Sequence, residues 1–294
     1  MTVIMNKNKG KNTGEKPLLP LKIDYVFKSI IGDRDNPDIL ADFLSAALDM
    51  AVEEFSDLKI TDPSLQRRHE GDKLAILDVL IYTKDGKMID IEIQRQNVDA
   101  LAERIAFMNA RMLAGQLQIG EKYGILKKAV SIVISDFVMI REDDLYHHRF
   151  LLHDPAAGVT FTDVMQVDLL ELPKLPLKRD ASKLYDWLMV IDKVEEKEME
   201  QEIEQIMEEN PMIKKAVMKL REMSEDEVER EIAFRRMIAL ADEMGRRDYA
   251  LKEGREMGRD EERRESAMRM KADGLDPTLI AKYTGLSAEE IAKL

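Results

Sequence analysis

Two carboxylates, Asp78 and Glu92, sit inside apolar runs, 74–83 and 87–95, that otherwise read as strands built for burial. Losing hydration is costly for a carboxylate unless a cation or hydrogen bonds replace the water. Side chains alternate along a strand, so Met88, Asp90, Glu92 and Gln94 share one side of the second run. Ile89, Ile91 and Ile93 share the other. The link between the runs decides the rest. A three-residue loop, Lys84-Asp85-Gly86, pairs Thr83 with Lys87 and therefore Asp78 with Glu92. A two-residue Asp85-Gly86 turn sets Asp78 against Ile93 instead and sends the acids to opposite faces. Only the odd-length loop makes a site, and two acids opposed there repel unless they hold a divalent metal.

The elements that must position this hairpin follow from periodicity. Helical spacing marks 23–31 and 39–50, separated by the turn-rich 32–37, with Asp38 helping to start the second helix. Residues 52–61 read as a strand, ended by Asp62-Pro63-Ser64. From 98 to about 119 the pattern is helical: Leu101, Ile105, Met108, Met112, Leu113 and Leu117 line one face, and Gly120 ends it. Residues 129–134 are short, apolar and β-branched, a buried strand. Two further strands, 147–153 and 164–170, straddle a turn at Asp154-Pro155-Ala156-Ala157-Gly158. A helix over 181–191 carries Leu184, Trp187 and Leu188. Periodicity alone says mixed α and β.

These residues also carry a likeness. Asp78, a gap, then Glu92-Ile93-Gln94 in a hairpin resembles the active-site signature of the PD-(D/E)XK nuclease superfamily. The surroundings are Pro20-Leu21-Lys22-Ile23-Asp24-Tyr25-Val26-Phe27-Lys28 upstream and Glu103-Arg104, then 116–123, downstream. With them the chain resembles the Rpn-type recombination-promoting nucleases, also described as PD-(D/E)XK family transposases, over roughly residues 18–190.

The resemblance implies an α/β fold with a restriction-endonuclease-like core: a central mixed sheet flanked by helices, in the order helix, three strands, helix, strand. Here an all-α C-terminal extension follows. It also implies a metal-dependent DNA endonuclease linked to recombination or mobile elements. Mg²⁺ or Mn²⁺ held by Asp78, Glu92 and the Ile93 carbonyl would activate water and neutralise charge building on the phosphate. Gln94 stands where the superfamily usually has lysine; an amide is neither cation nor base, so it orients water or phosphate. Asp24 matches the helix acid of the group and is expected to hold a metal-bound water or second ion, although Asp at a helix start is often only a cap. Arg104 and Gln116, on the following helix, and Arg95 are expected to face the phosphate, and Asp90 to pair with a basic residue at the rim.

Composition bounds the alternatives. The chain has 294 residues, enough for one sizeable core and an appended module, and no cysteine, which suits a reducing, cytoplasmic setting. No apolar run approaches the ~20 residues needed to span a bilayer, so no membrane partner is expected. The first seventeen residues lack the apolar stretch of a secretory signal and read as a disordered arm. A net charge of −13 argues against non-specific affinity for nucleic acid. Much of the acid is local, in 195–209 and 225–231, which leaves room for a basic cleft from Arg95, Arg104, Arg111, Lys127 and Lys128. His147, His148 and His153 make a poor metal cluster, because adjacent strand residues face opposite ways. Ser131 and Ser135 have no histidine at triad spacing.

The organisation expected is an N-terminal arm (1–17), a nuclease-like domain (18–191), a charged helical arm (192–262) and a small helix-turn-helix-like unit (263–294). The arm breaks at Asn210-Pro211 and is weakened at Gly254 and Gly258, a candidate hinge. In the last unit Asp276 is expected as an N-cap, Ser287 and Glu290 as a capping box, and Leu279, Ile280, Leu286 and Ile291 as the core. Its last helix carries Glu289 and Glu290, which favours self-association or a protein partner over a DNA groove. Two functional classes therefore fit: the endonuclease, favoured by Asp78, Glu92 and Gln94, and a catalytically degenerate nuclease fold that binds partners through its acidic helices, favoured by the net charge and the missing lysine.

Overall fold

The hairpin that carries Glu92 lies in the middle of a six-stranded sheet, and its loop has three residues. In the computed structural model, which describes residues 16–61, 64–65, 75–76 and 79–294, Val79–Tyr82 (β4) pairs antiparallel with Met88–Gln94 (β5). The Thr83 amide donates to the Lys87 carbonyl at 3.0 Å and the Gly86 amide to the Thr83 carbonyl at 2.9 Å. Gly86 has φ +88°, a left-handed value that disfavours any side chain. The register runs Tyr82 with Met88, Ile81 with Ile89, Leu80 with Asp90 and Val79 with Ile91. That is the odd-length arrangement.

The rest of the sheet is built outward from this pair. Lys59–Thr61 (β1) lies against β4, and Ala129–Ser135 (β6) runs parallel to β5 on its other side. Val159–Glu171 (β8) is parallel to β6, and His147–Asp154 (β7) is the antiparallel edge beyond it. Ser64–Leu65 (β2) and Ala75–Ile76 (β3) form a separate two-stranded pair. The sheet is thus mixed, as expected, with helices on both faces. The expected strand over 52–61 is shorter: Val52–Phe55 is a single 3-10 turn and only β1 is extended.

Side-chain parity divides the core in two. Ile89, Ile91 and Ile93 join Ile81, Val130, Ile132 and Ile134 on one face. Against them pack Asp24–Ile30 (α1), Pro37–Leu48 (α2) and, later in the chain, Lys183–Lys193 (α4). The other face is covered by Leu101–Gly115 (α3): Met112 meets Leu80, Met88 and Ala129, while Leu101 and Ile105 meet Val133 and Leu169. A helix of fifteen residues is shorter than the span to 119, and Ile119 is fully exposed beyond its end. Asn109, buried in the middle of α3, directs its side-chain amide at the Ala129 carbonyl (3.2 Å), Ser131 Oγ (3.0 Å) and the Gln166 carbonyl (2.9 Å). No apolar period predicts that residue. It fixes the helix along and around its own axis over two strands.

The charged region after residue 192 is organised differently from expectation. Glu200–Glu209 (α5) and Pro211–Glu225 (α6) bury Ile203, Ile206, Met207, Ile213, Val217 and Leu220 in the same core as α1, α2 and α4. The buried Asp42 carboxylate accepts from Trp187 Nε1 (2.9 Å) and Asn210 Nδ2 (3.1 Å), tying α2, α4 and the α5–α6 junction together. The first compact unit accordingly ends at Arg236, and the second is Met237–Leu294. Glu227–Ala272 (α7) is continuous through Gly245, Gly254 and Gly258, so the glycines do not interrupt it. In the second unit, Pro277–Thr284 (α8) is capped by Asp276 and Ala288–Lys293 (α9) by a complete Ser287–Glu290 capping box. Its small core is Ala267, Ile280, Leu286 and Ile291; Leu279, expected inside, is 44 % exposed.

Asp168 on β8 is fully buried and neutralised by the β7 edge: His147 Nε2 lies at 2.9 Å and Arg149 Nε donates at 2.8 Å, with the Gln166 amide on its second oxygen. Burial pushes its carboxyl up, but the hydrogen bonds from His147, Gln166 and Arg149 outweigh it and hold the group below the ordinary carboxylate value. A carboxyl depressed in the folded state stabilises above its unfolded value and loses that stabilisation as pH falls through the folded one. Asp168→Asn is expected to cost roughly 3 kcal/mol at neutral pH, the low end for a broken buried pair because Arg149 is partly solvated. It should also flatten the acid limb of a stability–pH curve. Chemical unfolding of both proteins from neutral to acid pH measures this, and parallel curves would contradict it.

Candidate active site

Glu92 lies on the α3 face of β5, two positions from the carboxyl end of the sheet's central pair. Its side chain is 14 % exposed. Oε1 accepts from the Gln94 side-chain amide, two residues on along the same face, and from the guanidinium of Arg104 in the first turn of α3. The strand alternation and the helix crossing together bring these residues to one point. The mostly buried Glu92 side chain is thus met by a cation and a neutral donor.

Arg95 follows β5 directly at this end of the sheet. Asp24 is the first residue of α1, and the N-cap is Ile23, so Asp24 is not spent on capping. Lys22, two residues earlier, bonds Asp192 Oδ1 at 2.8 Å and approaches Asp136 Oδ1 at 3.5 Å. Asp136 follows β6 and donates its amide to the Gln94 carbonyl at 2.8 Å, while Arg95 Nε stands 3.6 Å from its Oδ2. Burial lowers the Lys22 ammonium, but Asp192 and Asp136 raise it further, so it stays a cation. Lys22, Asp136 and Asp192 were not singled out by sequence reasoning; only the run containing Lys22 marked the place.

Gln116 is not brought to Glu92. It is the C-cap of α3, and its amide clamps the Lys127 backbone, accepting from the amide at 2.6 Å and donating to the carbonyl at 2.8 Å. Because Met88 is level with Ala129, Lys127 is level with Gly86, about 20 Å down the strand from Glu92. Asp90 is buried rather than at a rim. Ile93 turns its side chain into the opposite core, and by strand alternation its carbonyl faces β4, as that of Lys87 does. The described β4–β5 register ends with Val79 opposite Ile91, and Asp78 lies outside the described residues.

Among the described residues no three His, Cys, Asp or Glu side chains converge as a metal cluster. His147 turns to Asp168 and His148 to Asp143 at 3.0 Å, on opposite sides of β7 as their adjacency requires. Ser131 receives Asn109, and Ser135 donates to the Phe137 carbonyl at 3.0 Å. No helix among the described residues is long and apolar enough to cross a membrane.

A family model described as PD-(D/E)XK nuclease family transposase matches residues 21–250. The chain belongs to that family. No curated protein and no solved structure matches it. The mixed sheet between helices is the restriction-endonuclease-like arrangement of PD-(D/E)XK nucleases, and membership points to nuclease and mobile-element function. The match runs past 191 and takes in α5 and α6, in keeping with their place in the core.

Proposed function

We propose that the protein is a metal-dependent DNA endonuclease of the PD-(D/E)XK transposase family, linked to recombination or mobile elements. The observation that supports the reading is membership of this family over residues 21–250, beside a mostly buried Glu92 that Gln94 and Arg104 meet on one face of the sheet. In this reading Asp78, Glu92 and the Ile93 carbonyl hold Mg²⁺ or Mn²⁺, which when bound supplies the Lewis acidity for phosphodiester hydrolysis. Gln94 orients Glu92 and the attacking water by hydrogen bonding, and Arg104 pairs with the phosphate bidentately. Asp24 and Arg95 border the DNA in this reading. The test is incubation of the purified protein with plasmid DNA and Mg²⁺ or Mn²⁺ beside Asp78→Ala. Metal-dependent cleavage absent from the variant supports the reading; no cleavage by the wild type favours a degenerate fold that binds partners.

Self-association belongs, in the same reading, to the C-terminal unit. Its four buried apolar side chains make a core too small for much independent stability, and Glu289 and Glu290 on α9 oppose phosphates. A chain ended at Glu262 is expected to lose mass by light scattering while keeping its cleavage. Unchanged mass with sharply weaker, sequence-dependent DNA binding would make the unit a recognition module instead.

A further inference from the structure

We infer that the open side of β7 pairs antiparallel with the same strand of a second copy of this chain, about a two-fold axis at Leu151. Among the described residues β7 pairs with β8 alone and stands last in the sheet. An open strand edge presents a row of unused amides and carbonyls, a template for another strand. Two contacts fix which residues supply them. The Tyr146 carbonyl accepts from the Glu171 amide at 2.8 Å and the Asp154 carbonyl from the Gly158 amide at 2.9 Å, so the even-numbered positions turn their backbone inward. Arg149, Leu151 and His153 therefore turn theirs outward. The irregularity in the ladder does not blunt this edge, because its extra residues are in β8: Leu151 and Leu152 are consecutive, while their partners are Gln166 and Thr162.

The devices that protect a strand edge are missing here. From His147 to Asp154 there is no lysine and no proline, and the Arg149 guanidinium is held by Asp168 at 2.8 Å. Phe150 and Leu152 are instead each 46 % exposed, on the side shared with His148, whose ring stacks on Phe150 at 6.1 Å. Backbone phase and side chains together select the register. Two copies exchange hydrogen bonds only where outward positions meet outward positions, so the axis passes through a residue rather than between two. With the axis at Leu151, Phe150 lies across from Leu152 of the second copy, and His148 across from its Asp154. Arg149, already neutralised by Asp168, lies across from His153. An axis at Phe150 sets Leu152 against His148, and one at Leu152 sets Phe150 against Asp154. Antiparallel pairing also brings the end with His147, His148 and Arg149 to the end with Asp154, whereas a parallel copy lays each end against its like. The contact is isologous and is additional to the one proposed for the C-terminal unit.

The chain has no cysteine, so a single introduced thiol reports the register. In the full chain, Leu151→Cys sets two thiols on directly opposed residues, whose Cα atoms in such a pair stand about 5.5 Å apart, within disulfide reach. Phe150→Cys and Leu152→Cys leave the like thiols two residues out of register, beyond the roughly 7 Å limit. Mild oxidation is expected to convert most of Leu151→Cys to a covalent dimer on a non-reducing gel and to leave the other two largely unbridged. Light scattering adds a reading without thiols. Phe150→Lys is expected to lower the mass of the full chain, and Phe150→Lys with Leu152→Glu to restore it, because each lysine then faces a glutamate. No bridging in Leu151→Cys, or equal bridging in all three cysteine variants, would overturn the proposal. A mass unchanged by Phe150→Lys would also overturn it and leave this edge to a strand from a different protein.

Discussion

Glu92→Gln and Asp78→Asn are expected to abolish metal-dependent plasmid cleavage while leaving a folded protein. Each substitution keeps the shape of the side chain and removes one negative charge from the acids proposed to hold the metal. Loss of an outer-shell partner alone typically costs a metal site about 10- to 100-fold, so loss of a ligand should cost at least about 100-fold. Stability should move little. Removing the charge of Glu92 strands Arg104, whose partial exposure lets water take over. Nicking assays in Mn²⁺ and thermal unfolding of the same preparations measure both effects. Undiminished nicking in the two variants would assign the activity to other residues.

A chain ended at Asp192 should fail to fold cooperatively, whereas one ended at Arg236 should unfold in a single transition. The shorter chain strips from the main core Ile203, Ile206, Ile213, Val217 and Leu220. Burial of each such side chain contributes about 1.5–3 kcal/mol, and together they match the whole net stability of a typical domain, about 5–15 kcal/mol. It also removes Asn210 from the buried Asp42 carboxylate, which keeps the Trp187 hydrogen bond and a Lys183 ammonium at 3.9 Å. Calorimetry or near-ultraviolet circular dichroism separates the outcomes, and two equally cooperative melts would contradict the packing described.

Local signals explain what was legible in the sequence. The three-residue loop was readable because Gly86 stands where a positive φ is required and because one face of each strand is apolar, which leaves a single workable register. The element order followed for the same reason. The boundary after 191 did not, because the change of composition there masks a helical periodicity that continues. The glutamates of α5 and α6 occupy solvent faces, while Ile203, Ile206 and Met207, then Ile213, Ala216, Val217 and Leu220, keep a helical stripe that the core absorbs. The contacts of Asn109, Asp168 and Lys22 join segments far apart in the chain, so no spacing announces them. Gln116 illustrates the limit on the site: sequence put it on the same helix as Arg104, but helix length decides which end of the sheet it reaches.

The pinning of α3 by Asn109 has a kinetic consequence. Sliding or rotating that helix would break hydrogen bonds to Ala129, Ser131 and Gln166 in the dry interior at once, and each buried group left unpaired is costly. These bonds hold the backbone beneath Arg104 in place. Rearrangement of Arg104 is left to rotation about side-chain bonds, which at an exposed position takes picoseconds to nanoseconds. The guanidinium can change partners without any motion of the helix that carries it.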